Sequence, residues 1–413
     1  HLGKLAVHGP DSTNSQRAAR CRLDFPPRNR ISSFRARGFC KYLPKLNWKP
    51  IVVCEDWPRH APDYDEGLIS DICDVEVHRI TSYGPRGINR LFIRNVLPWL
   101  FPHKTPYNWW KLAKVKAFEL CESNSFDAIV ATHDPLATLS IASEVSQRFG
   151  IPWIADIRDS WNVQKLSSPR KQKLIAKHER LLSSLANEVV SVSEGISEQL
   201  GRIIGRKVHT ISNGFDQIEA LPRDQADNNI FTILYAGTLS HARNPRPLFQ
   251  AIEQCVSKGL VPEKSIDVCF LGSDERFVSH FDLDEFKKVD FSFHPRVARL
   301  EAISRIHNAS ILLVLSQPNE QGVVTGKMFD YLSSGRPILA IPDDSGEIKQ
   351  LIDSTKSGVS LSDPNEIARQ LVKRFEEWRK DKRFKKFKPS NRNLFVIFSF
   401  FRNSAASSSA DPP

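Results

Sequence analysis

The sequence contains no long hydrophobic run, and nowhere do its apolar residues approach the ~20 that a membrane-spanning helix needs. Its seven cysteines are irregularly spaced, and no pair has the spacing of zinc ligands, which excludes a recognisable structural zinc motif. No secretion signal is recognisable either, so we expect reduced thiols and a cytoplasmic protein. The 413 residues, 40% hydrophobic and 25% charged, are enough for two globular domains.

The positive charge of the chain is unevenly distributed. The formal net charge is +11, and much of the excess lies in residues 371–413. A nucleic-acid-binding fold would carry a basic face, so this class of protein is not indicated. A basic end is typical of contact with an anionic membrane leaflet and equally of a solvated terminus, and both remain open. We predict an irregular segment at residues 1–24 and a basic low-complexity tail at residues 386–413.

Between these ends, short apolar runs alternate with longer helical patterns, which indicates parallel sheets covered by helices. A polar stretch at residues 216–229 interrupts the alternation and is typical of a linker. We therefore predict two Rossmann-like α/β domains facing across a cleft, at residues 25–220 and 221–385, with ligands bound where the strands end. The predicted strands are 50–54, 128–132, 153–155, 189–192, 208–211, 231–236, 268–271, 311–315 and 337–341. The predicted helices are 33–46, 136–149, 171–185, 245–258, 297–307 and 327–334.

A glycine turn follows the predicted strand at residues 231–236. Gly237-Thr238 ends this strand, and a helix opens near Pro245. Glycine lets a backbone approach a ligand closely, and the free N–H groups of a helix N-terminus favour an anion. Arg243, just before the helix, adds a positive charge with several donors that suit a phosphate. An ordinary strand-to-helix turn with a surface arginine explains the same residues, so both interpretations remain open.

A second turn of this kind follows the apolar strand at residues 311–315. There, Thr325-Gly326-Lys327 opens a helix, again with free N–H groups and now with a lysine. Asp330 follows Lys327 by three residues, so the two share one helix face. A lysine beside phosphates and a carboxylate near a ribose diol would match a nucleotide. A surface ion pair at a helix start is the alternative.

Polar residues also follow two predicted strands of the first domain. His133 follows the strand at residues 128–132, where a histidine can orient a substrate or act as acid or base. The next strand leads into Asp156, Arg158, Asp159 and Trp161. A carboxylate there can bind an acceptor hydroxyl, and the indole can stack on a sugar. A packed histidine and an internal Asp–Arg salt bridge are the competing interpretations.

Taken in order, these segments resemble family 4 glycosyltransferases of the GT-B fold, in particular the bacterial branch that builds surface polysaccharides. The resemblance covers residues 25–379. Besides the two glycine turns, it rests on an opening loop with Phe25-Pro26-Pro27 and Ser33-Phe34-Arg35, and on the strand at residues 126–132. It also rests on residues 152–159 and on the turns at residues 191–194 and 211–216.

The resemblance implies a reaction and a set of roles. Family members transfer a sugar with retention of anomeric configuration, need no metal or other cofactor, and hold the donor mainly on the second domain. By resemblance, the donor would be bound by Gly237, Thr238, Arg243, Thr325, Gly326, Lys327 and Asp330. The acceptor would lie against Arg35, His133, Asp156, Arg158, Asp159 and Trp161. Catalytic roles would fall to His133, Asp156, Arg243 and Lys327.

The sequence departs from the family pattern in places. The family often has Glu, seven residues and a second Glu, whereas this chain has Gly322 and the shorter Asp330. A glycine that is common in the opening loop is absent near Asn29 and Arg30. The first strand is not recognisable in residues 4–23, so we expect the first sheet to lack an inner member. These departures support the alternative of a protein that kept the fold and lost its activity.

Aromatic and basic residues occur together in residues 91–114, among them Trp99, Phe101, Trp109 and Trp110. Such a mixture suits a membrane interface, and a helix and loop packed into the core is the alternative.

The sequence therefore predicts a glycosyltransferase that uses a nucleotide-sugar and acts on a lipid-linked or polysaccharide acceptor of the cell envelope, such as lipopolysaccharide. We expect it in the cytoplasm, with peripheral contact to the anionic inner face of the plasma membrane and no nucleic-acid partner. The alternatives are a nucleotide-sugar epimerase on the same fold and a degenerate, non-catalytic GT-B protein.

Overall fold

The computed structural model describes residues 16–21, 24–82, 100–158, 169–214, 230–317 and 324–381. The chain divides into two compact units between Ser212 and Asn213. The predicted junction at residue 220 lies outside the described residues, as does the tail at residues 386–413. Each unit has its own parallel sheet with helices between the strands, so the predicted α/β class with two Rossmann-like domains is confirmed.

The first unit is built around a parallel seven-stranded sheet. Its strands are β1 (Gln16–Cys21), β2 (Trp48–Glu55), β3 (Glu76–Ile80), β4 (Ala128–His133), β5 (Trp153–Ile157), β6 (Glu188–Ser191) and β7 (His209–Thr210). Its described helices are α1 (Ile31–Tyr42), α2 (Tyr107–Ser123), α3 (Leu136–Phe149), α4 (Pro169–Leu185) and α5 (Glu194–Ile204), with 3₁₀ turns at Leu43–Leu46, Glu66–Leu68 and Pro102–Lys104. The strand order is β3-β2-β1-β4-β5-β6-β7.

Strand β1 corrects the expectation for the N-terminal segment. The sequence shows no recognisable strand in residues 4–23, yet β1 pairs in parallel with β2 on one side and β4 on the other. The strand is hard to recognise because Arg17 and Arg20 interrupt its apolar residues. Arg17 lies near the start of the strand, where its guanidinium donates to the side-chain oxygen of Asn124 at 3.1 Å. The first sheet therefore has its inner member.

The second unit is built around a parallel six-stranded sheet. Its strands are β8 (Phe231–Ala236), β9 (Ile266–Leu271), β10 (Asp290–His294), β11 (Ile311–Leu315), β12 (Ile338–Ile341) and β13 (Gly358–Ser360). Its described helices are α6 (Arg246–Ser257), α7 (Arg276–His280), α8 (Arg299–Asn308), α9 (Gly326–Ser334), α10 (Glu347–Thr355) and α11 (Pro364–Asp381), with a 3₁₀ turn at Leu283–Glu285. The strand order is β10-β9-β8-β11-β12-β13.

The central strands of the second sheet are buried on both faces. Side chains alternate along a strand, so Leu313 and Leu315 of β11 join one apolar cluster while Leu312 and Val314 join the other. This explains why β11 is a continuous apolar run in the sequence. Strands β8 and β11 are neighbours, so the loops that follow them leave the sheet at the same edge.

No helix among the described residues is long and apolar enough to cross a membrane.

Candidate functional site

Two cations meet where strands β8 and β11 end. Arg243 lies in the loop after β8, and Lys327 lies in the first turn of α9, which follows β11. The pKa of Lys327 is well below its ordinary value, because the ammonium group is withdrawn from water and because the Arg243 guanidinium is close to it. The structure thus brings together two residues that the sequence analysis assigned to the donor.

Tyr235, near the end of β8, contacts both cations. The Nζ atom of Lys327 lies 3.7 Å from the centroid of the Tyr235 ring, which is cation–π geometry. The Nη1 atom of Arg243 donates to the Tyr235 hydroxyl at 3.5 Å, and this hydroxyl donates to the carbonyl oxygen of Thr238 at 3.2 Å. The sequence analysis missed Tyr235, because an aromatic residue in a buried strand is indistinguishable from ordinary core packing.

Gly237 has no room for a side chain. A Cβ atom there would lie 2.9 Å from Nζ and 3.3 Å from Cε of Lys327. Its φ of +138° is also a conformation that residues with a side chain rarely adopt. The glycine therefore lets the lysine lie directly against the backbone of the turn, as its position after the strand predicts.

The N-terminus of α9 is available to a ligand. Thr325 precedes the helix in an extended conformation, and its side chain makes no capping hydrogen bond. The Thr325 side chain therefore does not occupy the first N–H groups of the helix, and such groups favour an anion.

Several polar atoms at this edge are buried without a hydrogen-bond partner in the part of the chain that the structure describes. They belong to the loops after β8 and β11 and to the residue preceding α9: Ser240 Oγ, Arg243 Nε, Ser316 Oγ and Thr325 Oγ1. Buried polar atoms are nearly always hydrogen-bonded in native proteins, so these atoms indicate a polar ligand here.

No acidic side chain among the described residues forms an ion pair with Arg243 or Lys327. Asp330, the acid of the same helix, is instead paired with Arg299 at the start of α8, whose Nη1 atom donates to Oδ2 at 2.7 Å. The role of Asp330 at a ribose stays a prediction. Arg299 was missed because this partner lies 31 residues away in the sequence. Neither Arg243 nor Lys327 is neutralised by an acid of the described residues, and charge-assisted hydrogen bonds would make an anion the preferred ligand.

Arg35 and Asp156 form a buried ion pair in the first unit. The Nη2 atom of Arg35 on α1 lies 2.9 Å from Oδ1 of Asp156, and the Nε atom donates to both carboxylate oxygens. The hydroxyl of Thr132, at the end of β4, donates to Oδ2 of Asp156 at 2.9 Å. Asp156 itself is 0% exposed. The geometry accounts for it as a buried anion that joins α1, β4 and β5, and direct contact with an acceptor stays a prediction.

His133 ends β4 and is paired with an acid that the sequence analysis missed. Its Nε2 atom lies 2.9 Å from Oε1 of Glu179 on α4, and both residues are buried. Arg158 donates from Nε to the backbone oxygen of His133 at 3.3 Å. His133, the last residue of β4, and Arg158, the residue after β5, therefore lie together, because neighbouring parallel strands end at the same edge of the sheet.

The predicted site residues Asp159 and Trp161 lie outside the described residues, as does Gly322, the position where the family often has a glutamate. Residues 91–99 of the aromatic and basic segment also lie outside them. In the described ranges, no three His, Cys, Asp or Glu side chains come together as a metal site.

Residues 33–214 match the family model described as "Glycosyl transferase 4-like domain". This stretch runs from α1 to just beyond the end of the first unit. The family model therefore covers most of the first unit. The resemblance to family 4 glycosyltransferases of the GT-B fold is thereby confirmed, and Arg35, His133 and Asp156 lie within the matched residues.

The whole chain is similar in fold to solved structures, whereas no curated protein matches its sequence. HepE from Anabaena, crystallised with UDP and glucose, is 15% identical with a TM-score of 0.63, and the match covers 95% of this chain and 99% of HepE. WaaB, a lipopolysaccharide outer core galactosyltransferase, is 15% identical with a TM-score of 0.56 and the same coverage. A putative UDP-N-acetylglucosamine 2-epimerase from Listeria monocytogenes is 11% identical with a TM-score of 0.57, covering 97% of this chain and 99% of the epimerase. At these identities the likeness shows the fold alone.

Proposed function

We propose that this chain moves a sugar from a nucleotide-sugar donor to a lipid-linked or polysaccharide acceptor of the cell envelope, with retention of configuration. One observation carries the donor half of the proposal: Arg243 and Lys327 share one edge of the second sheet without an acidic partner in the described part of the chain. A diphosphate would supply the missing negative charge. The UDP and glucose bound to HepE, and the galactosyltransferase name of WaaB, support sugar transfer on this fold.

In this proposal the donor diphosphate lies against the Gly237-Thr238 turn and the N-terminus of α9. Lys327 and Arg243 stabilise the negative charge that develops on the nucleoside diphosphate as it leaves, which is the largest contribution that such a site can make to the rate. Two cations and a helix end would take the place of a metal ion. Donor binding would be completed by Thr325 and Gly326 at the helix end and by Asp330 at the ribose.

On the acceptor side, the proposal places the acceptor against His133, whose imidazole is oriented by the contact between its Nε2 atom and Glu179. Arg158 lies beside it through its hydrogen bond to the His133 backbone. The ion pair between Arg35 and Asp156, with the Thr132 hydroxyl bonded to the same carboxylate, holds the ends of β4 and β5 in place. Asp159 and Trp161 complete the proposed acceptor side.

The experiment that tests the proposal is a transfer assay with radiolabelled UDP- and GDP-sugars, lipid extracts of cell envelopes and EDTA. We expect label to enter the lipid or polysaccharide fraction only when acceptor is present. Conversion of the donor sugar without acceptor would instead identify an epimerase. A folded protein without any turnover would support the degenerate alternative. Transfer that stops in EDTA and resumes with Mg²⁺ would contradict metal independence.

The affinity for the nucleoside diphosphate is expected to fall as the pH rises. The free site lowers the pKa of Lys327, whereas a bound diphosphate favours the ammonium form and raises it again. Below the pKa of the free site the affinity is constant. Above that pKa, Lys327 must take up a proton when the ligand binds, so the affinity falls as the pH rises. The affinity becomes constant again above the pKa that Lys327 has in the complex.

This dependence can be measured as the Kd for UDP between about pH 7.5 and pH 9, where the ligand's own charge is nearly constant, with the Lys327→Arg variant as matched control. Arginine keeps its charge over this range, so the variant should show a nearly constant Kd. A wild-type Kd that does not change with pH would show that Lys327 does not change protonation on binding.

We also propose that helix α4 contacts an anionic membrane. Its exposed residues include Lys173, Lys177 and Arg180, and Leu181 and Leu185 are 53% and 47% exposed. Their spacing places them on one side of the helix, which we call the basic face of α4. The single acid of this helix, Glu179, is buried against His133. Cations with exposed leucines suit a surface of anionic lipid, which would also hold a lipid-linked acceptor.

Charge reversal on the basic face of α4 is expected to release the protein from anionic vesicles. Lys177→Glu combined with Arg180→Glu should weaken binding to vesicles of phosphatidylglycerol and phosphatidylcholine by about tenfold or more. Co-sedimentation measures this. The control variant, Lys49→Glu combined with Lys207→Glu, changes two exposed lysines of the same unit and should bind nearly as the wild type does. Equal losses in both variants would contradict a specific role for this face.

A further inference from the structure

The two cations of the candidate donor site are held in place by a neutral side chain. Tyr235 is 0% exposed and presents its ring to Lys327 and its hydroxyl to Arg243. Closely placed cations in proteins ordinarily share a carboxylate, which fixes their positions and also neutralises their charge. A tyrosine fixes positions while leaving the charge uncompensated.

The hydrogen bonds of the phenol are consistent with a neutral hydroxyl. The hydroxyl donates to the Thr238 carbonyl oxygen at 3.2 Å while it accepts from Arg243 Nη1 at 3.5 Å, which uses one proton and one lone pair. Burial raises the pKa of Tyr235, although the nearby Arg243 opposes this shift, so the phenol stays protonated at neutral pH.

We propose that Tyr235 is a positioning residue of the diphosphate site, which orients Arg243 and Lys327 toward the ligand without neutralising them. The inference rests on the proposed function, since it concerns how the donor site works. Core packing alone does not account for the contacts. A phenylalanine would fill the same space between β8 and Phe270, whose ring centroid lies 6.0 Å away, without reaching Arg243 or Thr238.

A double-mutant cycle on nucleotide binding separates a positioning role from a structural one. The cycle uses the full chain as wild type, Tyr235→Phe, Arg243→Met and the combination, titrated calorimetrically with UDP, GDP and ADP in EDTA. Loss of the hydroxyl should weaken binding of the preferred nucleotide by about three- to tenfold in the wild-type background. In the Arg243→Met background the same substitution should change the Kd by less than about twofold, because the hydroxyl then has no guanidinium to orient.

The matched control is Tyr331→Phe. The Tyr331 hydroxyl accepts from the backbone N–H of Ala236 at 2.8 Å and is also buried, so its loss perturbs the same strand. Its effect on affinity should be equal in both Arg243 backgrounds. Circular dichroism confirms that each variant is folded.

The other possible results overturn either the role of Tyr235 alone or the donor site as a whole. If Tyr235→Phe weakens binding by the same factor with and without Arg243, or does not weaken it at all, the positioning role is overturned while the donor site stands. If the wild-type protein binds none of the three nucleotides, the donor site itself is overturned, and this role falls with it.

Discussion

Substitution of Lys327 by methionine is expected to weaken binding of the preferred nucleoside diphosphate by about a hundredfold, because it removes a charge-assisted hydrogen bond from a site withdrawn from water. The same substitution should leave the free protein as stable as the wild type or more so. The Lys327 side chain is withdrawn from water and has no acidic partner in the described residues. Methionine puts an apolar side chain of similar length in its place.

Titration calorimetry and thermal denaturation check the two halves of this prediction. Lys373→Met, at an exposed lysine of α11 in the same unit, is the control and should alter neither quantity. An unchanged affinity in Lys327→Met would remove the lysine from the donor site. A large loss of stability would instead assign it a structural role.

Substitution of Arg35 by methionine is expected to destabilise the protein by about 3–5 kcal/mol, because it removes the cation that is paired with the buried Asp156 carboxylate. Adding Asp156→Asn should restore much of the stability, since the amide carries no charge and still accepts from Thr132. Urea denaturation of the full chain measures both effects.

The outcome also decides what Asp156 does. If the Arg35→Met loss is below about 1 kcal/mol, or if Asp156→Asn does not restore it, the pair is not the buried ionic contact that the geometry indicates. An Asp156→Asn variant of normal stability that has lost transfer activity would support direct contact with the acceptor.

The central strands could be predicted from the sequence because both of their faces are buried, which makes them continuous apolar runs such as residues 311–315. Edge strands were predicted less well: β7 was predicted at residues 208–211, whereas β3 and β10 were not. Strands β3 and β10, Glu76–Ile80 and Asp290–His294, have no fully buried residue and mix charged with apolar side chains. Strand β1 was missed although it lies inside the sheet, because its two arginines conceal the pattern.

The candidate site was predictable to the extent that it depends on strand ends. Arg243 and Lys327 come together because neighbouring parallel strands deliver their loops to the same edge, and glycine turns mark those loops in the sequence. The partners that fix the side chains were not predictable. Tyr235, Glu179 and Arg299 act through contacts across the fold, and nothing in the sequence near them indicates such contacts.

The most direct test of the central claim, that the second unit binds the nucleotide of a sugar donor through Lys327 and Arg243, is a thermal-shift panel of UDP, GDP, ADP and CMP in EDTA. The account predicts that one nucleoside diphosphate, at a concentration above the wild-type Kd and below that of Lys327→Met, raises the Tm of the wild-type protein and leaves the Tm of the variant nearly unchanged, because stabilisation depends on ligand concentration relative to Kd. The account is contradicted if no nucleotide shifts the Tm of the folded protein, or if the same nucleotide stabilises both proteins equally.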